Sequence, residues 1–165
     1  MSHPENDKEK KVKICDNKSV GMLIWKDKKL LLIERKLFPF GFAPPAGHVD
    51  DKGGFEEAAR EEVQEEVGLS PINIKLVTEG RKDNRCRRKG GDYHYWKIYK
   101  VEAEGKLKPS EDETKQAGLY TKDQIKNLSE RTARYLDGEI SEEDWQNSPG
   151  IETVWYEWFK ELEII

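Results

Sequence analysis

The stretch FEEAAREEVQEEVG, residues 55–68, constrains the fold most, because it predicts one amphipathic helix with a defined end. The helix should run from Phe55 to Val67, and Gly68 stands where a left-handed residue often ends a helix. At 100° per residue, three carboxylates share one face, and the apolar side chains lie mostly away from it. The acidic residues are Glu62, Glu65 and Glu66, and the apolar ones are Ala58, Ala59, Val63 and Val67.

The crowding of carboxylates on this helix has two interpretations. Like charges one helical turn apart repel by roughly 0.2–0.5 kcal/mol per pair. The helix is either a solvated surface helix, since Glu is a good helix former, or a cation site. Carboxylate oxygens are the ligands that Mg²⁺, Mn²⁺ and Ca²⁺ prefer, and the preceding loop PPAGHV brings backbone carbonyls to the same place. The helix pattern by itself does not choose between them.

The whole-chain composition predicts a folded unit without bulk attraction to polyanions. At 165 residues the chain is long enough to bury a core as one domain. We expect a disordered terminus over residues 1–12 and one domain over 13–165, with 129–165 as a helical C-terminal extension. The net charge of −4 indicates no general affinity for nucleic acid or a membrane.

The cysteines and the N-terminus predict a reduced, cytoplasmic setting. Cys15 and Cys86 make no disulfide framework, and the sequence shows no CxxC or Cys/His cluster that would indicate zinc. The first residues lack the apolar segment of a signal peptide. No apolar run reaches transmembrane length.

The element pattern along the chain predicts an α+β fold. Ser19–Lys36 reads as a hairpin, and the segment from Phe38 to Val49, rich in Pro and Gly, as an extended loop. Two strands are expected over 72–80 and 92–105, with Pro71 breaking the chain before the first. Short helices should follow over 121–128, 130–136 and after Ser141, and an apolar stripe predicts a C-terminal helix. That stripe consists of Ile151, Val154, Trp155, Trp158, Phe159 and Leu162.

The spacing around the acidic helix resembles the Nudix box, G-x5-E-x7-R-E-U-x-E-E-x-G-U with U aliphatic. The matching positions are Gly47, Glu62, Val63, Glu65, Glu66, Gly68 and Leu69. Two positions depart from the pattern, since Gly53 stands where the box has its first glutamate and Glu61 where it has arginine. A looser resemblance to the family extends over most of 19–128.

The resemblance implies a Nudix-type α/β/α sandwich with a mixed β-sheet. It also implies a Mg²⁺- or Mn²⁺-dependent hydrolase that cleaves a pyrophosphate linkage in a nucleoside diphosphate derivative. Glu62, Glu65 and Glu66 would be metal ligands, with the Gly47 carbonyl as a further candidate. In the family the two missing residues look like partners that brace the helix, so a weakened enzyme or a nucleotide-binding sensor is the alternative.

The resemblance also places a general base on a downstream loop, where the candidates are Glu111 and Glu113. We expect Arg35 to bind substrate phosphates, and after it Arg87 and Arg88 from the basic segment RKDNRCRRK. That segment leaves an RNA-end enzyme or RNA binder open. Phe40 and Phe42 are the aromatic residues to test for stacking on a nucleobase. The role of 129–150 stays open between a lid, a homodimer contact and packing.

Overall fold

Two four-stranded sheets form the centre of the fold. The computed structural model describes residues 13–165, so the prediction of disorder for 1–12 lies outside the described part of the chain. The strands are β1 (Lys18–Leu23), β2 (Trp25–Lys26), β3 (Lys29–Arg35), β4 (Phe42–Ala43), β5 (Ala46–His48), β6 (Ser70–Lys82), β7 (His94–Glu104) and β8 (Thr114–Tyr120). The helices are α1 (Phe55–Val67), α2 (Lys122–Leu136), α3 (Glu142–Asn147) and α4 (Thr153–Glu161).

The strand pairing confirms a mixed sheet. In the first sheet the order is β5–β1–β7–β6, with β1 and β7 parallel and the other pairs antiparallel. In the second sheet β3 is central and pairs antiparallel with β2, β4 and β8. Because β8 follows nearly the whole of β3, the two short strands β2 and β4 share its other edge.

Alternating side chains of the strands face two separate apolar clusters. Leu31 and Ile33 of β3 pack in the cluster that includes α1, whereas Leu30 and Leu32 pack with α2 and α4. Successive side chains of a strand point to opposite faces of the sheet, so these helices cover opposite faces. The α/β/α sandwich is therefore confirmed.

Helix α1 has the bounds that the sequence predicts. It runs from Phe55 to Val67, and Gly68 ends it in the left-handed conformation, with φ 71° and its N–H donated to the Gln64 carbonyl over 3.0 Å. Its apolar side chains are buried, and its N-cap residue Gly54 makes no side-chain capping hydrogen bond. This helix is the element that presents the acidic face.

The predicted hairpin over Ser19–Lys36 is correct only at its tip. Trp25 pairs with Leu30 across Asp27 and Lys28, whose φ values of 51° and 63° are those of a tight hairpin turn. Strand β1 does not continue this ladder, because it enters the other sheet between β5 and β7. The loop predicted over 38–49 contains the short strands β4 and β5.

Two predicted breaks do not occur. The helices expected over 121–128 and 130–136 are one helix, because Ser129 donates its hydroxyl to the Ile125 carbonyl over 2.8 Å and is buried within the helix. Pro71 lies inside β6, which is an edge strand, where a missing N–H is tolerated.

The C-terminal extension is joined to the sheet. Phe42 donates its N–H to the Gly150 carbonyl over 2.8 Å, and Glu152 donates its own to the Phe42 carbonyl over 3.0 Å. Thr132 of α2 donates its hydroxyl to the Ile151 carbonyl over 2.8 Å. The extension thus packs against β4 and brings Glu152 to the edge of a cavity. Within residues 13–165, no helix has both the length and the apolar character needed to cross a membrane.

Candidate functional site

A cavity of about 510 Å³ opens beside the acidic face of α1. It is bordered by the end of β3, by β5, by the β6–β7 loop and by the start of α4. The ionisable side chains that line it include Arg35, Glu62, Arg87, Arg88, Glu113 and Glu152. These residues come from separate parts of the chain, so only the tertiary fold brings them together.

The three predicted metal ligands lie on one face of α1 but in different environments. Glu66 is 3% exposed and Glu62 has a side chain 12% exposed, whereas Glu65 is exposed to solvent. The charge of Glu65 is still close enough to raise the pKa of Glu62. Two carboxylates therefore lie beneath the surface, and one lies at its edge.

Gly47 on β5 lies directly against the Glu62 carboxylate. A Cβ at this position would overlap the carboxyl group, so only glycine leaves room for it. The same close approach places the backbone of β5 beside the acidic face. This space is suited to a ligand coordinated by both elements.

Glu66 is a buried carboxyl group with little neutralisation from the protein. Burial and, after it, the charge of Glu62 raise its pKa to about 8, although Arg35 opposes the shift. The carboxylate accepts one hydrogen bond, from the Ala46 N–H over 3.2 Å. A group in this state is protonated at neutral pH, and a divalent cation is the partner that would favour its ionised form. The donor set therefore fits Mg²⁺ or Mn²⁺.

Lys52 forms an ion pair with Glu62, and the sequence interpretation missed it. Burial raises the pKa of Glu62, and the Lys52 ammonium opposes this without cancelling it. Burial lowers the pKa of Lys52, but the carboxylates of Glu62, Glu65 and Glu61 leave it raised. Lys52, from the preceding turn, thus supplies a positive charge near the helix. In the box pattern the positive charge near this helix comes from the arginine at position 61.

The turn that carries Lys52 also explains the first departure from the box. Gly53 has φ 96°, a conformation that other residues rarely adopt. A glutamate at this position would strain the backbone, so restoring the box residue alone would cost stability. In this chain the Gly53 turn and the Lys52–Glu62 pair therefore stand in place of the Glu/Arg brace that the box pattern implies.

Removing Lys52 should tighten divalent metal binding. In Lys52→Gln, Glu62 loses the ammonium that competes for its oxygens, and Mg²⁺ should bind about five- to tenfold more tightly, roughly 1 kcal/mol. Isothermal titration with Mg²⁺ measures this. Arg60→Gln is the matched control, since Arg60 pairs with Glu56 on the exposed side of the same helix. Weaker binding in Lys52→Gln would show that Lys52 supports the site instead of competing for it.

Arg35 is held in place by two oxygen groups. Its Nε donates to the Pro39 carbonyl over 2.7 Å and lies 3.9 Å from a carboxylate oxygen of Glu152. Glu152 is buried, and burial raises its pKa to about 7 although Arg35 opposes the shift. Glu152 comes from the C-terminal extension, so no local sequence signal linked it to the cavity. Arg35 is thus oriented toward the region that Glu62 and Glu66 occupy.

The titration of Glu152 should make stability depend on pH. Its pKa is raised from 4.5 to about 7 on folding, so the wild type loses stability as pH rises from about 4.5 to 7 and no further above it. Glu152→Gln removes this loss. We expect its melting temperature to match the wild type near pH 4.5 and to exceed it near pH 8, by up to about 3 kcal/mol in stability. Thermal unfolding across this pH range measures the difference.

Glu157→Gln is the matched control for Glu152, because Glu157 is exposed on the same helix. A constant difference between Glu152→Gln and wild type at every pH would show that the substitution acts through packing and not through ionisation.

The basic segment predicted as a phosphate contact lies on the same cavity as Arg35. Arg85, Arg87 and Arg88 in the β6–β7 loop all line it. Arg88 is already engaged by Asp50, with Nη1 2.6 Å from a carboxylate oxygen, and this pair lowers the pKa of Asp50. The sequence left the position of this segment open, because a long loop carries no periodicity that fixes it.

The remaining predicted residues divide between the cavity and other places. Glu113 lines the cavity and its charge raises the pKa of Glu66, whereas Glu111 is exposed on the same turn, and its carbonyl accepts from Lys36 Nζ over 3.3 Å. Phe40 borders an adjoining cavity of about 370 Å³. Phe42 is 8% exposed and packs edge-on against Tyr120, which leaves little of its ring free to stack on a nucleobase.

Comparison with known families gives one result that covers most of the chain. The NUDIX domain model matches residues 16–138. Among curated proteins, none is similar enough to this sequence to count as a match.

Solved structures share the fold at low sequence identity. The MutT NUDIX hydrolase from Burkholderia pseudomallei is 23% identical, with a TM-score of 0.57 over 65% of this chain and 84% of that one. A NUDIX hydrolase from Nitrosomonas europaea is 21% identical, with a TM-score of 0.58 over 82% and 92%. The NUDIX domain of Shewanella oneidensis NrtR, crystallised with ADP-ribose, is 15% identical, with a TM-score of 0.56 over 77% and 88%.

Proposed function

Since the chain belongs to the NUDIX domain family, we propose that it hydrolyses a pyrophosphate linkage in a nucleoside diphosphate derivative, with Mg²⁺ or Mn²⁺. One observation carries the proposal: Glu62 and Arg35 line the same cavity, and the charges of both act on the buried carboxyl group of Glu66. A cavity of about 510 Å³ is large enough for a small nucleotide. Acidic oxygens and a guanidinium on one cavity suit a substrate with adjacent phosphates.

Glu62, Glu65 and Glu66 would hold the metal, with the Gly47 carbonyl as a further ligand. Oxygen donors of this kind suit Mg²⁺ and Mn²⁺. A cation held there would supply charge stabilisation for the phosphates, would lower the pKa of an attacking water and would relieve the carboxylate repulsion along α1.

The other roles fall to the chain's own side chains. Arg35 binds a substrate phosphate, and Glu152 orients Arg35 from below. Glu113 takes the proton of the attacking water as general base, because it lines the cavity, with Glu111 as the second candidate. Phe40 contacts the nucleobase in the adjoining cavity.

A substrate screen tests the proposed activity. Nucleoside triphosphates, ADP-ribose, dinucleotide cofactors, dinucleoside polyphosphates and capped RNA would each be incubated with Mg²⁺ or Mn²⁺, and the nucleotide products separated. We expect turnover of at least one compound that stops when EDTA is added. Metal-independent turnover, or none with any compound, would contradict the proposal.

The second candidate is a module that binds a nucleotide-linked ligand without cleaving it. The pairing of Lys52 with Glu62 favours it, because an ammonium already occupies a carboxylate that catalysis would need for metal. ADP-ribose, the ligand in the NrtR structure, is a suitable probe. Tight binding in calorimetry with unchanged ligand after long incubation with Mg²⁺ would support this function.

RNA remains a third possibility for the ligand, and it depends on the basic segment at residues 81–89. Phosphate contacts would make RNA binding fall steeply with salt.

We place the activity in the cytoplasm, where such nucleotides occur and where thiols stay reduced. A homodimer through residues 129–150 is a further proposal, which light scattering of the purified protein would test.

A further inference from the structure

Two cysteines and two histidines meet at one end of the cavity. Cys15, His48, Cys86 and His94 each offer one ligand atom, and these four atoms all lie within 4.8 Å of one another. Cys15 Sγ and His94 Nε2 are 3.3 Å apart. Ligand atoms around a tetrahedral Zn²⁺ are separated by roughly 3.3–3.8 Å, given bond lengths of about 2.3 Å to sulfur and about 2.0–2.1 Å to nitrogen. The distances among the four ligand atoms are close to this range, and the longest of them are somewhat larger than a bound ion would give.

The four residues come from four segments that the backbone fixes. Cys15 precedes β1 and donates its N–H to the Lys89 carbonyl over 2.8 Å, and Cys86 donates its own to the Gly91 carbonyl over 2.9 Å. His48 ends β5 and His94 begins β7. The sequence indicates no Cys/His cluster because Cys15 and His94 are 79 positions apart. The prediction of no such cluster is therefore wrong for the folded chain.

Both sulfur atoms accept hydrogen bonds from backbone N–H groups two residues further along. Asn17 donates to Cys15 Sγ over 3.3 Å, and Arg88 donates to Cys86 Sγ over 3.4 Å. Such donors stabilise negative charge on sulfur, which a metal-bound thiolate carries. Gly91 leaves the room that Cys86 needs, since a Cβ there would overlap its sulfur.

The burial of the cluster leaves two imidazole nitrogens without a partner. Cys15 is 5% exposed and His94 is 1% exposed. His48 Nε2 and His94 Nδ1 are buried and have no hydrogen-bond partner among residues 13–165, and His48 Nε2 is the one that a metal would satisfy. Buried polar atoms in native proteins are nearly always satisfied, so an unpartnered imidazole nitrogen beside two thiols indicates a missing ligand. A disulfide between the cysteines would leave this nitrogen unexplained.

We propose that Cys15, His48, Cys86 and His94 bind one Zn²⁺ in a closed, structural site. On binding, the two thiols lose their protons to solvent, and the two thiolates balance the charge of the ion. Four protein ligands leave no open position, so the ion takes no part in hydrolysis. Sulfur and nitrogen donors also separate this site from the oxygen ligands of α1.

The zinc site has a consequence for the cavity. It joins the segment before β1, the end of β5 and the β6–β7 loop, and Arg85, Arg87 and Arg88 flank the ligand Cys86 within that loop. With zinc bound, the loop is held with these three arginines on the cavity wall. Without zinc, the loop is held by backbone hydrogen bonds, by the Arg88–Asp50 pair and by side-chain hydrogen bonds from Asn17 and Trp96.

Metal analysis of the purified protein tests the proposal. The protein is produced without a metal-affinity column, dialysed against a weak chelator and analysed by plasma mass spectrometry. We expect about one zinc per chain, and loss of most of it in Cys15→Ser, Cys86→Ser and His94→Asn. Asp92→Asn is the control, because Asp92 is exposed on the same loop and is no ligand. Glu62→Gln should also keep its zinc, which distinguishes this site from the acidic one.

Cobalt substitution keeps the test valid if a variant fails to fold. Wild-type protein refilled with Co²⁺ should show tetrahedral visible bands and a sulfur-to-cobalt charge-transfer band, and excess Mg²⁺ should leave them unchanged. Stripping zinc with a strong chelator should lower the melting temperature by several degrees. A reduced wild-type protein that contains no zinc and shows no cobalt–thiolate band overturns the proposal. So does a Cys15–Cys86 disulfide whose reduction yields no metal binding.

Discussion

Glu66→Gln should abolish metal-dependent hydrolysis, with kcat/KM falling at least about a hundredfold. Glutamine cannot supply the anionic oxygen that a divalent cation requires, and Glu66 is the most deeply buried carboxylate on the acidic face. Glu65→Gln should also remove activity, because its charge lies at the edge of the same site. Steady-state kinetics on the substrate found in the screen, at saturating Mg²⁺, measure both losses.

Glu66→Gln should still fold, so its loss of kcat/KM can be assigned to the metal site and not to unfolding. Because burial raises the pKa of Glu66 to about 8, the group is protonated at pH 7 without metal, and glutamine has nearly the shape and polarity of the neutral acid. The melting temperature without metal should therefore stay close to that of the wild type. Glu57→Gln, exposed on the same helix, is the matched control and should keep full activity. If Glu65→Gln and Glu66→Gln both remain fully active with Mg²⁺, the acidic face is not the metal site.

The second large effect is expected for Arg35→Ala, which should lower kcat/KM about ten- to a hundredfold. The loss corresponds to one charged hydrogen bond to a substrate phosphate, about 1.5–3 kcal/mol. Arg35 is suited to this role because the Pro39 carbonyl and Glu152 hold its guanidinium at the cavity before substrate arrives. A group already in place loses little side-chain entropy on binding.

The paired comparison is the double variant Arg87→Ala/Arg88→Ala. Arg88 is engaged by Asp50, so for a small nucleotide the double variant should lose less than Arg35→Ala. On a capped or triphosphorylated RNA, whose chain extends past the cavity, the double variant should lose more than it does on the nucleotide. If, on the small nucleotide, the double variant lost far more kcat/KM than Arg35→Ala does, the phosphate contact would lie on the β6–β7 loop. Kinetics on both substrates give the answer.

Features encoded over a few neighbouring residues were predictable from the sequence. The bounds of α1 and its end at Gly68 follow from apolar periodicity and from the freedom of glycine at positive φ. The Thr121 and Ser141 caps of α2 and α3 come from hydroxyl side chains at the helix starts, and each accepts a hydrogen bond from the backbone N–H three residues further along. In each case the deciding interaction lies within about one helical turn.

Features that depend on strand partners were harder to predict. The apolar runs of β1 and β3 read as a hairpin because they flank a polar turn, yet β1 pairs with β5 and β7 in the other sheet. A strand pattern records which side chains are buried but not which strand lies beside it. Phe42 reads as a loop aromatic for a related reason, because its contacts with Tyr120 and with the Gly150–Glu152 segment involve distant parts of the chain.

The sequence by itself determined that this chain presents three carboxylates on one helical face, because helix geometry converts local spacing directly into direction. Only the tertiary structure decided what surrounds them. Glu152 behind Arg35 and the Cys/His cluster beside the basic loop join segments far apart in the chain, and the Lys52–Glu62 pair joins a loop residue to a helix residue ten positions later. Such contacts are set by sheet pairing and packing, and these same contacts govern the charge state and the ligands of the site.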